Sequence, residues 1–104
     1  MTDALVVLCT CGGDEEARRI SGALVEARLA ACVNILPGVQ SVYRWQGEIE
    51  TAAETLLFIK TTSDRFAALR DRIRELHSYD TPEIVALPVT VGSEDYLAWL
   101  RGQV

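Results

Sequence analysis

The chain has 104 residues, of which 49% are hydrophobic and 24% charged, and its formal net charge is −5. This is room for one domain, 1–104, with a thin core: a monomer of this size buries only about two thirds of the surface its unfolded chain exposes. The acidic balance argues against nucleic acid and against an anionic membrane as partner, since both call for clustered Lys and Arg. It is a globular rather than a disordered composition.

Ala4-Leu5-Val6-Val7-Leu8-Cys9 is an unbroken apolar run ending near Gly12-Gly13 and reads as a buried strand. Asp14-Glu15-Glu16 then place negative charge where a helix N-terminus favours it, and Ala17, Ile20, Leu24, Ala27 and Ala31 recur at helical spacing. From Cys32 to Trp45 the pattern is extended, interrupted at Pro37-Gly38 by a bend or bulge. Gln46-Gly47 suits a hairpin turn, and a return strand runs from Glu48 to about Thr62. Ser63 or Asp64 is expected to cap a second helix with Phe66, Leu69, Ile73 and Leu76 on its inner stripe. Its arginines, Arg65, Arg70, Arg72 and Arg74, alternate with Asp64, Asp71 and Glu75 and read as a solvated face. A linker from His77 to Pro82 leads to a fourth strand, Glu83 to Val89, and Ser93-Glu94-Asp95 opens a short terminal helix.

The predicted order is therefore β-α-β-β-α-β plus a helix. Right-handed crossovers fold it into an α+β, ferredoxin-like βαββαβ sandwich with a long hairpin between the second and third strands. Two helices cover one face of such a sheet, so its strands should alternate apolar and polar. Leu5 to Cys9, Leu56 to Ile59 and Ile84 to Leu87 are instead apolar throughout. Both faces call for burial, which predicts self-association unless the terminal helix covers the second face alone.

No secretory signal follows Met1, no apolar run reaches the ~20 residues of a membrane span, and three cysteines make an odd set, so a reducing cytoplasm is expected. Topology gathers Cys9, Cys11, the hairpin tip around Trp45 and the linker from His77 to Glu83 at one end of the sheet. Cys32 and Lys60 fall at the other end, so a site using both Cys9 and Cys32 would have to lie between chains. Cys9 and Cys11 share a side if the strand continues through Thr10, and with His77 they offer soft ligands for copper or zinc. Against this, Cys9 suits a small core residue, and His77 suits a helix C-cap as well as a ligand. Tyr43 and Trp45 share one strand face, as do Glu54 and Lys60; the aromatics fit an interface or the wall of a pocket. No catalytic constellation or phosphate-binding glycine loop is present, and no enzymatic activity is expected.

Taken together, these segments resemble the CutA divalent-cation tolerance family. The matching pieces are Leu8-Cys9-Thr10, Leu29 to Ile35, Ser41-Val42-Tyr43-Arg44-Trp45-Gln46-Gly47-Glu48-Ile49, Lys60-Thr61-Thr62, His77 to Ile84, and Tyr96 to Leu100. The resemblance implies a homotrimer, similar in architecture to PII signalling proteins, with a role in copper binding and metal tolerance. It places candidate metal ligands on His77, Cys32 and Glu83, and a ligand cleft at Tyr43, Trp45, Glu54, Lys60 and Tyr79. No cofactor is required; copper or another divalent cation is the implied ligand. The chain departs from the family in having Ser78 where proline is common, and in its extra Cys11. Two rival functions remain: a PII-like module that binds a small metabolite or nucleotide at subunit clefts, and a structural trimer that organises a partner protein.

Overall fold

In the computed structural model, which describes residues 2–104, the first apolar run forms a strand that outlasts its apolar stretch: β1 spans Ala4–Cys11. It is followed by α1 (Asp14–Glu26), β2 (Cys32–Trp45), β3 (Glu48–Thr62), α2 (Phe66–Leu76), β4 (Val85–Pro88) and α3 (Glu94–Gln103). The strands lie in the order β2-β3-β1-β4, and every neighbouring pair is antiparallel. This is the expected ferredoxin-like arrangement, with α1 and α2 on one face.

The core lies between that face and the helices. Side chains alternate across a strand, so Val7, Cys9 and Cys11 of β1 share a side with Leu57 and Ile59 of β3, and all five are fully buried. Ala17, Ile20 and Leu24 of α1 and Leu69 and Ile73 of α2 close over them. The opposite face is covered at one end only, where Leu97 and Leu100 of α3 pack on Ala4 and Ala31. Beyond α3, Val6, Leu8, Leu56 and Phe58 are half-buried, and Leu36, Val85 and Leu87 are 40%, 46% and 50% exposed. The terminal helix is thus too small a lid for this face, and an apolar surface remains on it.

Three local details differ from the sequence-based expectation. First, α1 stops at Glu26, so Ala27 and Ala31 do not extend its stripe. Arg28 takes a left-handed conformation (φ 58°), and the amides of Leu29 and Arg28 bond back to the carbonyls of Leu24 and Val25 at 2.9 and 3.1 Å. That is a Schellman cap with arginine where glycine is usual. Arg28 also donates to the Gln103 carbonyl at 3.3 Å. Arg28→Gly and Arg28→Ala both lose that bond, but only glycine escapes the left-handed penalty, so chemical denaturation should find Arg28→Gly the more stable by about 1 kcal/mol. Second, neither Ser63 nor Asp64 caps α2 with its side chain; the chain enters through a 3-10 turn, Ser63–Arg65. Third, β4 is shorter than Glu83 to Val89, because pairing with β1 runs only from Leu8↔Val85 to Leu5↔Pro88.

The long hairpin follows expectation. Pairing steps from Leu36↔Leu56 to Val39↔Glu54, so Pro37 and Gly38 together oppose Thr55 in a bulge, with Gly38 at φ 78°. Trp45 pairs with Glu48 across Gln46 and Gly47, whose φ values of 50° and 81° fit a type I′ turn. Since β1 ends opposite Thr55, the hairpin beyond the bulge projects as a two-stranded arm that no third strand supports. An isolated two-stranded ribbon is marginal in water.

Candidate functional site

Where α2 ends, the chain turns toward the arm end of β1. His77 leaves the helix in an extended conformation (φ −76°, ψ 142°), which carries its ring beneath β1, where the residue is only 8% exposed. Its Nε2 lies 2.8 Å from the carbonyl oxygen of Thr10, and its Nδ1 lies 3.0 Å from the amide nitrogen of Tyr79. The amide can only donate and the carbonyl only accept, so the proton belongs on Nε2. His77 thereby joins the two segments, bonding β1 at Thr10 with one nitrogen and the linker at Tyr79 with the other.

Because β1 continues through Cys11, the thiols of Cys9 and Cys11 face the same side, toward that ring. The donor atoms of Cys9, Cys11 and His77 all lie within 4.8 Å of one another, and all three residues are buried. Beside each other the thiols divide their acidity. The Cys9 thiol holds Cys11 below the ordinary thiol value, outweighing burial, while Cys11 and burial push Cys9 upward. All three cysteines are free thiols.

Glu16 of α1 braces the same corner. Its Oε2 accepts from the Ser78 amide at 2.8 Å, and its Oε1 accepts from the Gly12 amide at 3.4 Å. Partial burial pushes this carboxyl up, but Ser78, His77 and Gly12 together outweigh it and hold the group below its usual 4.5. A depressed folded-state value contributes stability that is complete above 4.5 and is lost as pH falls through the lower value. Melting temperatures measured downward from pH 5 should therefore fall less steeply for Glu16→Gln than for the parent chain.

Above this corner, between the arm and the linker, lies a cleft of about 610 Å³ bordered by Tyr43, Trp45, Glu54, Tyr79 and Glu83, with Thr10 at its floor. The Tyr79 hydroxyl donates to Glu54 Oε2 at 2.8 Å. Burial and the Glu54 carboxylate raise this phenol to about 12.

Of the candidate residues, the structure brings Tyr43, Trp45, Glu54, Tyr79 and Glu83 to one cleft and places His77 directly behind it. Cys32 and Lys60 are elsewhere. They pair with each other near the far end of β3; Lys60 donates to Asn34, and Cys32 Sγ is 3.5 Å from the Tyr96 hydroxyl. Lys60 shares its strand face with Glu54, but six residues of strand separate them by roughly 20 Å. Cys9 and Cys11 are not among the ligands that the family resemblance implies, yet they stand nearest His77. Their signal is the alternation that puts both thiols on the side His77 approaches.

A four-stranded antiparallel sheet with two helices on one face and a bulged projecting hairpin defines a small ferredoxin-like α+β protein, here with a thiol-imidazole cluster near the root of the hairpin. The model of the family described as "CutA1 divalent ion tolerance protein" matches residues 5–103. A "Divalent-cation tolerance protein CutA" of Thermus thermophilus is 56% identical over 96 residues, covering 92% of this chain and 93% of the relative. The structure of CutA from Xylella fastidiosa superposes with a TM-score of 0.96 at 44% identity, covering 98% of each chain. One from Archaeoglobus fulgidus, described as a periplasmic divalent cation tolerance protein, gives 0.94 at 41% identity over 96% of this chain and 97% of that one. The chain belongs to the CutA1 divalent ion tolerance family.

Proposed function

We propose that this protein is a homotrimeric copper-binding protein of the cytoplasm that serves divalent-cation tolerance, and that Cys9, Cys11 and His77 hold the ion. The observation that carries this reading is the approach of two thiols and an imidazole to within 4.8 Å in a buried corner. Two sulfurs and a nitrogen form a soft donor set, suited to cuprous copper and to zinc rather than to magnesium or calcium. The Cys11 thiol, held below its ordinary value by the Cys9 thiol, is the one of the pair better suited to serve as the anionic ligand such an ion needs. His77 has both nitrogens engaged by backbone, so ligation requires it to release Thr10 or Tyr79, a cost of about 1 kcal/mol that a metal–nitrogen bond readily offsets. Of the ligands implied by the family resemblance, His77 belongs to this corner and Glu83 to the cleft in front of it, while Cys32 could contribute only from another copy.

Supporting self-association are the half-covered sheet face and the unsupported arm, which together expose Leu36, Val42, Ile49, Val85 and Leu87; the number three rests on the family resemblance. Three free thiols support a reducing compartment. No helix among the described residues is long and apolar enough to cross a membrane.

The test is a calorimetric titration of the reduced protein with cuprous copper and then with zinc, alongside its mass by light scattering. The expected outcome is sub-micromolar copper binding with one ion per protomer, weaker zinc binding, and a mass about three times 11.5 kDa. Copper binding no tighter than about millimolar, roughly −4 kcal/mol, removes the metal reading.

A further inference from the structure

A neutral imidazole has one N–H and one lone pair, and His77 commits both to backbone. Nε2 donates to the Thr10 carbonyl and Nδ1 accepts from the Tyr79 amide, at 2.8 and 3.0 Å. Pairing between β1 and β4 stops at Leu8, so the ring meets β1 beyond the reach of β4. On the linker side the Tyr79 ring packs at a tilt on the imidazole, with 4.7 Å between centroids. His77 is thus a latch between strand and linker, and it is also one of the three donors of the thiol-imidazole corner.

These two roles compete. An ion takes an imidazole through a lone pair. If it takes Nδ1, it occupies the lone pair that the Tyr79 amide now uses. If it takes Nε2, the proton there has to leave, and a neutral ring then carries one on Nδ1 instead, as metal-bound imidazoles do. Nδ1–H would face the Tyr79 N–H, donor against donor. The Cys9 sulfur lies 3.9 Å from the same Thr10 oxygen that Nε2 approaches, which favours the second case. In both cases the ring stays neutral and the Tyr79 amide loses its acceptor.

The residue before Tyr79 is held without the ring. The Ser78 amide donates to Glu16 Oε2 at 2.8 Å, and Arg19 of the same helix donates to the Leu76 carbonyl at 3.3 Å. The first of these ties needs an amide proton at position 78, which the proline common there in the family would not supply. Ion binding therefore leaves the chain anchored to α1 through Ser78 and lets it go at the next residue. Beyond that point little is enclosed: Tyr79 is 38% exposed, and Asp80 and Thr81 are exposed. The Tyr79 phenol, on Glu54 at 2.8 Å, is what still ties the segment to β3.

We propose that a soft cation bound by Cys9, Cys11 and His77 breaks the His77–Tyr79 bond and frees the linker from Tyr79 to Pro82, so that occupancy of a buried corner is displayed at the surface. The proposal rests on the metal reading above. By linkage, whatever holds Tyr79 in its latched place weakens the ion by the same factor.

The experiment is amide hydrogen exchange by NMR on the full reduced chain, with and without one equivalent of cuprous copper, with calorimetry on the same sample. An ion held only by the folded chain slows exchange wherever exchange needs global opening. The Tyr79 amide should move the other way and exchange at least ~5-fold faster, the factor that one lost hydrogen bond gives. The Ser78 amide, held by Glu16, should not accelerate. Ring-nitrogen spectra should show the Nε2 proton in the copper-free chain and a metal-bound nitrogen in the loaded one. Cys11→Ala, at a copper level that releases Tyr79 in the parent, should keep its Tyr79 amide protected. Copper bound by calorimetry with the Tyr79 amide as protected as before overturns the proposal and leaves the metal reading standing. Absence of copper binding by calorimetry overturns both.

Discussion

Cys11→Ala should bind cuprous copper at least 100-fold more weakly than the parent chain, read by competition against a chromogenic chelator. Loss of a residue that merely orients a ligand typically costs 10- to 100-fold in metal affinity, so loss of a ligating thiolate should cost no less. Of the two thiols Cys11 is the one favoured as anion, with the Cys9 thiol beside it, and Cys9→Ala should match the effect because it removes both a ligand and that support. Alanine is preferable to serine here because both thiols are fully buried in the apolar core, and a hydroxyl at either position would need a partner. Copper binding by Cys11→Ala equal to that of the parent would mean that Cys9 and His77 act without it.

His77→Ala should lower stability by about 2–4 kcal/mol in urea denaturation, apart from any effect on metal. The imidazole satisfies the Thr10 carbonyl and the Tyr79 amide at once, and a methyl group leaves both without a partner in a corner that is mostly buried. Water can reach the Tyr79 side, which is 38% exposed, and this keeps the figure below the sum of two fully buried losses. His77→Gln, whose amide can serve one of the two partners, should fall in between. At roughly 4–8 °C per kcal/mol for a domain of this size, the three proteins should be well separated by melting temperature. A stability unchanged in His77→Ala would show that the latch contributes nothing.

Where local chemistry decides the structure, the sequence was readable. Gln46-Gly47 makes the predicted turn and Pro37-Gly38 the predicted bulge, since both rest on backbone conformations that glycine favours. The order of strands and helices follows from apolar periodicity, and the covered and uncovered faces of β1 and β3 follow from alternation. What was not readable depended on context. The end of α1 was hidden because arginine, not glycine, occupies the left-handed position at 28, where a bond to Gln103 from the far end of the chain compensates. The stripe from Ala17 to Ala31 looked continuous, yet Ala31 is buried by α3 rather than by the core that α1 covers.

The candidate site shows the same division. That one end of the sheet would collect Cys9, Cys11, Trp45 and His77 could be argued from strand direction alone, and the structure does collect them. That Lys60 sits far from Glu54 despite sharing its face also follows from strand length, but the family resemblance had grouped the two. The convergence of His77 on both thiols required the extended turn after α2, which no residue pattern at Ser78-Tyr79 announces.

The bulge at Pro37-Gly38 has a mechanical consequence. From Val39 to Trp45 the arm is about 20 Å long at roughly 3.3 Å per residue, and it is hinged where one extra residue bends the strand. Over such a lever a change of ~10° at the bulge carries Trp45 about 3.5 Å, more than the surface gap of about 1 Å within which side chains still touch. Loss of the single codon for Gly38 would keep the hairpin register and every residue of the cleft, yet re-aim the arm and part its aromatic wall from the linker. How wide the cleft opens is thus set by backbone at the root of the arm, and a lineage could retune it there without altering any residue that lines it.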